Sequence, residues 1–538
     1  MRNFILKYIG MRKCKVSIFF VISFLTTLFS IIMPYYNGLF IDAILEKPLL
    51  ENVIYFAIVI GVLSIVAILI NYIYGIVVIK IKLEMFGYLY LDIMQHLQKI
   101  PLLILNKYNP SYLNRRINDD ITAVWEFFFS YFISFVIKCL GVFLLIFLIF
   151  TINTKILLCV VCIIFLYVVV YAGFKKELYI CNMDNIEKSA QFYKISNEQL
   201  ELITEIKALS LENESRNRII KYFNELKNSV IKNGRVNLLF QASDSMITTT
   251  LNIIILILGG YELINNNLSL GEFVVLNAYF KMLFQNTKFF FGVFKEYEKA
   301  KSSYHRIKEL LDIQVEQFDK LCIQKVETID LKVNSFSYYD RKILEKMYIN
   351  LRKDKIYLMK GKNGSGKSTV INILIGLLME GMKGDVYYNN NSLTELDVTY
   401  LRKNNISLML QKQKTIDGTI MEVVEFMSKM SYERFMNILK EKELYNLFWT
   451  ESMKENQKFK NLSGGEKQRI LLLCAIVDCK EIVILDEPSI CLDKMGINNL
   501  AKFLEKIKTN HIILITSHDM EEQLKELDVE IIDLENYV

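Results

Sequence analysis

Past the middle of the sequence stands a run of small residues closed by a lysine and two hydroxyls: Gly361, Lys362, Asn363, Gly364, Ser365, Gly366, Lys367, Ser368 and Thr369. Glycines let successive backbone N–H groups converge on an anion, and a helix starting where the run ends adds a favourable dipole. Lys367 stands where an ammonium bridges the β- and γ-phosphates of a nucleotide, and Ser368 where a hydroxyl holds Mg²⁺. Far downstream, Ile482-Val483-Ile484-Leu485 runs into Asp486 and Glu487. A carboxylate at the C-terminal end of such a strand reaches a metal at the loop. The one beside it can polarise an attacking water. The chemistry these residues spell is hydrolysis of a bound nucleotide.

That chemistry needs a strand before the loop and a helix after it. Both are present: Ile356-Tyr357-Leu358-Met359 leads in, and a helical stretch from Val370 to Leu378 leads out. A chance glycine turn lacks this context, which the phosphate-loop pattern demands. Short β-branched runs such as Ile482–Leu485 and Ile512–Ile515 alternate with amphipathic helical stretches from about residue 313 onward. Buried parallel strands with helical crossovers read this way. An α/β phosphate-loop domain is therefore expected over 329–538.

The first three hundred residues read differently. A membrane-crossing helix needs about 20 apolar residues. Runs of this kind cover Val16–Ile41, Asn52–Ile79, Phe127–Thr154, Ile156–Phe174, Ser245–Tyr261 and Phe273–Phe294, broken only by Lys138, Lys281 and Lys288. Six spans are expected, in a helical membrane domain over 1–312, with 313–328 as linker. The basic start followed by an apolar run resembles a secretory signal, but the run is too long and ends in Met33-Pro34-Tyr35-Tyr36 without a small-residue cleavage site. Lys and Arg mark the cytoplasmic side. The segments 80–126 and 175–235 contain 6 and 11 of them, whereas 42–51, 153–155 and 262–272 contain one, one and none. Both termini are expected in the cytoplasm of a bacterial-type membrane, and the two basic segments are read as spans prolonged beyond the bilayer.

Composition fits this split. Hydrophobic residues make up 52%, which excludes a disordered chain, and only 22 Gly and 5 Pro exclude a collagenous one. A net charge of +6 is a weak argument for nucleic acid, because much of it lies in the basic segments. The nine Cys have no metal spacing; Cys159 and Cys162 sit in an apolar run and read as helix packing.

The soluble half resembles the ATP-binding domain of an ABC transporter, and the six-span half resembles the exporter-type membrane domain of that family. The most specific motif is Leu462-Ser463-Gly464-Gly465-Glu466-Lys467-Gln468-Arg469, similar to the ABC signature. The resemblance implies that Ser463 and Gly465, with Gly464 between them, reach the γ-phosphate bound to another subunit. It implies that Tyr338 stacks on adenine, its neighbour Tyr339 being the rival ring. Gln411, followed by Gly418-Thr419-Ile420, is similar to the glutamine that senses Mg²⁺ and cargo. His518 is similar to the switch histidine, and Asp493 to the aspartate after the catalytic glutamate. In this reading Glu487, His518 and Lys367 are catalytic. ATP is held by residues 361 and 363–369 with Tyr338, Gln411 and 463–465, and Mg²⁺ by Ser368, Gln411 and Asp486. Residues 112–120 and Glu205-Ile206-Lys207-Ala208-Leu209 resemble coupling regions. The 259–272 segment resembles the turn between the last spans, and His305-Arg306-Ile307 the exit into the linker.

Departures stand beside the matches. Asn456-Gln457-Lys458-Phe459 replaces a Gly-Glu-Arg-Gly-like stretch, and Ile490-Cys491-Leu492-Asp493 replaces Ser-Ala-Leu-Asp. Few residues follow His518, which implies shortened terminal helices, and no peptidase stretch precedes the first span, so no leader cleavage is expected of the chain. The resemblance implies a half-transporter in the lipid bilayer that pairs with a second half, a homodimer being favoured over a heterodimer. It would export a substrate, with peptide favoured over drugs or lipids. Import on the same fold and ligand-sensing ATPase activity are the rivals. On the sixth span, Asn277, Lys281, Gln285 and Lys288 share a face. Lys281, Gln285 and Lys288 are the candidate substrate contacts, Lys281 above all, because an ammonium within a bilayer normally faces a cavity or a partner. An ion pair with Asp244 is the alternative account of Lys288.

Overall fold

The computed structural model describes residues 1–538 apart from 11, 47–48, 109, 317–319, 339–340, 363, 412, 450–452, 518–519, 521–527 and 538. Contacts divide it into two units. One comprises Met1–Ile93 with Asn114–Leu311, the other Met94–Leu113 with Asp312–Val538. The short segment 94–113 thus leaves the helical unit in which the sequence alone would place it.

In the first unit, five helices among the described residues are long and apolar enough to cross a membrane: Lys13–Glu46, Leu50–Leu97, Arg116–Ile152, Thr154–Glu201 and Glu212–Ile264. The sixth expected span lies in Leu270–Leu311, a continuous helix of 42 residues. It is not among those five, and Lys281 and Lys288 interrupt its apolar run. A helix of 48 residues such as Thr154–Glu201 is about 72 Å long at 1.5 Å per residue. The hydrocarbon layer is about 30 Å thick, so more than half of that helix must extend beyond it. Asn153 separates two of the spans. Its extended backbone ends one helix, and its side-chain oxygen accepts from Lys155 N at 3.0 Å and Ile156 N at 3.1 Å to start the next. Ile31, Leu145, Ile149, Ile156, Leu251, Ile255, Leu276 and Phe280, from five helices, form one buried core. The first and last of the six helices approach closely, since a Cβ on Gly38 would lie 2.8 Å from Gly271 O. There Asp42 caps the last helix, accepting from Gly271 N at 2.7 Å and Ser269 Oγ at 2.6 Å.

The second unit holds two sheets. β1 (Thr328–Tyr338), β2 (Arg341–Arg352), β4 (Met382–Tyr388) and β5 (Asn391–Ser392) form an antiparallel sheet in the order β2-β1-β4-β5. β3 (Lys355–Lys360), β6 (Ile406–Met409), β7 (Ile482–Asp486), β8 (Ile512–Thr516) and β9 (Val529–Asp533) form a parallel one in the order β6-β7-β8-β3-β9. Every residue of β7 and β8 is buried. This is why both read as unbroken apolar runs rather than alternating ones. The register sets Asp486 beside Thr516, and Thr516 beside Met359. Three strand ends therefore converge at one edge of the sheet. The 94–113 segment belongs to this unit through Leu103, which packs on its core, and through Lys99 O, which accepts from Glu316 N at 2.8 Å.

Candidate functional site

β3 delivers the chain into the glycine loop, and the helix Lys367–Leu374 takes it away. Two turns of the loop require glycine. Gly364 has φ +88° and Gly366 φ +91°, a region that costs a side chain about 1–2 kcal/mol. A Cβ on Gly366 would also press on Leu344 at 3.0 Å and Ile343 at 3.2 Å. Lys367 is buried and lies back along the loop, donating to Gly361 O at 2.6 Å. Ser365 Oγ is buried with no hydrogen-bond partner among the described residues. A buried hydroxyl of this kind is an unmet donor, and a phosphate oxygen is a natural acceptor for it. Thr369 is buried in the first turn of the helix.

Beside the loop, Ser368 Oγ donates to Asp486 Oδ2 at 3.1 Å. Asp486, 3% exposed, accepts from Thr516 Oγ1 on its other oxygen at 2.6 Å. Thr516 also receives Glu487 N, at 2.9 Å on its carbonyl and 3.0 Å on its hydroxyl. Glu487 has φ +55°, a left-handed backbone that costs a non-glycine residue on the order of 1–3 kcal/mol. The two bonds from its N–H hold it there. A carboxylate in enforced, unusual backbone geometry one residue after a buried one fits the division of labour expected of Asp486 and Glu487. The donor set of hydroxyl and carboxylate oxygens suits Mg²⁺, a hard cation that otherwise keeps waters and phosphate oxygens. No sequence motif marks Thr516. Its only signal was a hydroxyl ending a strand that is otherwise Ile, Ile, Leu and Ile.

Of the remaining expected residues, those described make no hydrogen bond to this cluster. Tyr338 ends β1, half-buried, with its ring edge-on to Phe336 at 5.0 Å. Gln411 is exposed, and no hydrogen bond joins it to Ser368 or Asp486 among the described residues. It lines a cleft of about 460 Å³ with Thr415, Asp417, Lys460, Lys467 and Gln468. Asn363, His518 and Tyr339 lie outside the described residues. Asp493 caps the Lys494–Ile507 helix, accepting from Gly496 N at 2.9 Å.

Ser463 opens the Gly464–Ile476 helix through a reciprocal cap. Its hydroxyl accepts from Glu466 N at 3.3 Å, and its own N–H donates to Glu466 Oε2 at 2.9 Å. Gly464 and Gly465 are exposed, and a Cβ on either would meet nothing within 4 Å. The helix end therefore presents N–H groups and a dipole to open space. No hydrogen bond or ion pair joins residues 463–465 to the glycine loop among the described residues.

In the helical unit, Lys288 Nζ pairs with Asp244 Oδ2 at 2.5 Å, the alternative foreseen for it. Lys138 Nζ donates to Asn286 Oδ1 at 3.1 Å and lies over the Phe289 ring at 4.7 Å. Lys281 and Gln285 are exposed, and Lys281 has no partner among the described residues. Two of the motifs quoted above meet: Arg306 Nε donates to Asp120 Oδ2 at 3.0 Å, and Asp120 is 3% exposed. Residues 203–208 form a short helix joining two spans, with Ile206 buried.

Two family descriptions match this chain: the ABC transporter transmembrane region over residues 16–287, and the ABC transporter domain over residues 344–490. The chain belongs to the ABC transporter family, whose members couple ATP hydrolysis to transport, and it carries the membrane and ATP-binding halves fused. It is 25% identical over 364 residues to a lactococcin-G-processing and transport ATP-binding protein of Lactococcus lactis subsp. lactis, covering 65% of this chain and 51% of that protein. It is 24% identical over 509 residues to a pediocin PA-1 transport/processing ATP-binding protein of Pediococcus acidilactici, covering 91% of this chain and 69% of that one. This chain therefore spans about half the length of the first relative. In fold it matches a bacterial Atm1-family ABC exporter with ATP bound, at TM-score 0.80 and 15% identity, over 97% of this chain and 94% of that one.

Proposed function

We propose that the protein is one half of an ATP-driven exporter, and that two copies enclose ATP between the glycine loop of one and the Ser463–Gly465 helix end of the other. The observation that carries this reading is the Ser368–Asp486–Thr516 cluster beside the loop, with Glu487 fixed next to it. Each residue then has one task. Backbone N–H groups of 361–366 and the Lys367 ammonium hold the phosphates. Ser368 and Asp486 hold Mg²⁺, which when bound neutralises phosphate charge. Glu487 orients and deprotonates the attacking water, its position set by Thr516. Gly464 and Gly465 offer an open face for a γ-phosphate from outside the chain. Closure on ATP and reopening after hydrolysis would alternate the access of the membrane cavity, as far as ATP favours the closed state over the open one.

The relatives named for lactococcin G and pediocin PA-1 transport support a peptide cargo. The exposed Lys281 and Gln285 on the last membrane helix support a cargo segment bearing negative charge. The test uses inside-out vesicles containing the full chain, ATP and labelled acidic or basic peptides of equal length. Uptake that requires ATP, favours the acidic peptide and disappears in Glu487→Gln is the expected result. ATP hydrolysis without uptake of any peptide would remove the peptide reading, and ligand-dependent hydrolysis without uptake of any compound would favour a sensor.

A further inference from the structure

At the opposite edge of the parallel sheet from the nucleotide cluster, a cleft of about 810 Å³ opens at the N-terminal ends of β3, β6, β7 and β8. Its lining is cationic: Lys325, Lys353, Lys403, Lys429, Arg434 and Lys480, against the carboxylates Asp478 and Glu481. Glu481 is already engaged, accepting from Val326 N at 2.8 Å and Asn405 Nδ2 at 3.1 Å. Lys353 pairs with Glu327 at 3.1 Å, and Lys480 donates to the carbonyls of Lys403 and Ile406. Lys325, Lys403, Lys429 and Arg434 have no carboxylate partner among the described residues. The ammonium of Lys480 is held below its ordinary pKa, first by burial and then by the nearby charge of Lys429, with the Asp478 carboxylate offsetting part of this. Lys429 itself sits at φ +59°, in a left-handed turn that ends its helix. Two cations near enough to repel, one of them half-buried, form an arrangement that an anion between them would relieve.

We infer that this cleft binds a compact, multiply charged phosphate anion, at a site separate from the one proposed to hydrolyse ATP. A concave wall in which cations outnumber carboxylates six to two focuses potential and raises the local concentration of counter-charge. The volume lies in the range that encloses a small molecule, about 300–1,000 Å³. Four cations converging from a loop (Lys325), two helices (Lys403 and Arg434) and a helix end (Lys429) fit several charges grouped on one small ligand better than charges spread along a chain. Lysine is the point-charge phosphate binder, and Arg434 adds a planar fork for two oxygens.

The test titrates inorganic tripolyphosphate by calorimetry into the full chain in detergent, with the ATP site saturated by a non-hydrolysable analogue and Mg²⁺ in excess. One tripolyphosphate per chain is expected, with affinity falling steeply as salt is raised. The triple variant Lys403→Gln, Lys429→Gln, Arg434→Gln should lose at least tenfold in affinity while its basal ATPase activity stays at the wild-type level. Lys429→Gln alone, at an exposed position, should lose about threefold, which keeps the test decisive should the triple variant fold poorly. Absence of saturable binding, or equal affinity in wild type and Lys429→Gln, would overturn the proposal. So would tighter binding of a hexa-aspartate peptide than of tripolyphosphate, which would assign the cleft to an acidic protein segment.

Discussion

Glu487 and Asp486 are adjacent carboxylates with different surroundings, and the difference assigns their work. Asp486 is buried with both oxygens bonded, to Ser368 and Thr516, which suits the role of fixed ligand proposed for it. Glu487 is held at its backbone by two bonds to Thr516, which supports the proposal that its carboxylate acts on water. Glu487→Gln should therefore lower ATPase turnover by ~10²-fold or more, the usual loss when a general base is removed, while fluorescent-nucleotide binding persists. Thr516→Val keeps the shape of the strand end but removes the hydroxyl shared by both acidic residues. Turnover should fall about tenfold, equivalent to about 1.4 kcal/mol of barrier, with nucleotide affinity little changed. Wild-type turnover in that variant would show that Thr516 positions nothing. The loop and the acidic pair were legible because their chemistry is written in consecutive residues. Thr516 was not, because a threonine ending a strand is commonplace until the parallel register sets it beside Asp486.

Among elements, the long helices are tied by a few polar contacts at positions far apart in sequence. Asp120 and Arg306 join the third and last of the long helices, with Arg306 also donating to Ser302 and Ser303 Oγ at 2.9 Å. Arg306→Ala leaves a buried carboxylate supported mainly by Arg116, 3.8 Å away. Breaking a fully buried pair costs about 3–5 kcal/mol, and the 40% exposure of the Arg306 side chain should reduce this to roughly 2 kcal/mol. The apparent Tm in detergent should drop by a few degrees, and Asp120→Asn in the same background should recover part of it. An unchanged Tm would mean that the contact is incidental. The same helix carries the polar stripe. Lys281→Ala should reduce cargo-stimulated ATPase activity severalfold and spare basal activity, whereas equal stimulation across cargo concentrations would detach Lys281 from the cargo path. The apolar runs marked the five helices long and apolar enough to cross a membrane among the described residues, and the Lys288–Asp244 pair expected as the alternative is present. The partnership of 120 with 306 was visible only as two unrelated motifs. The grouping of 94–113 with the ATP-binding unit was invisible, because Leu103 and Lys99 carry no pattern of their own.

For the whole molecule, one chain contains the glycine loop, the acidic pair and the signature helix, yet among the described residues no hydrogen bond joins residues 463–465 to the loop. A sequence lists the parts of a site without saying which copy completes which, so the proposed pairing of one copy's loop with the other's signature came from resemblance. The most direct measurement compares two purified mixed dimers, each isolated by a different tag on either chain. The first pairs a Lys367→Ala chain with a Ser463→Arg chain. The second pairs a chain bearing both substitutions with a wild-type chain. If ATP lies between copies, the first dimer retains one intact loop facing one intact signature, and the second retains none. The account predicts ATPase activity in the first dimer well above that of the second and of either mutant homodimer. Activity confined to the second dimer would mean that each chain completes its own site, and would contradict the account.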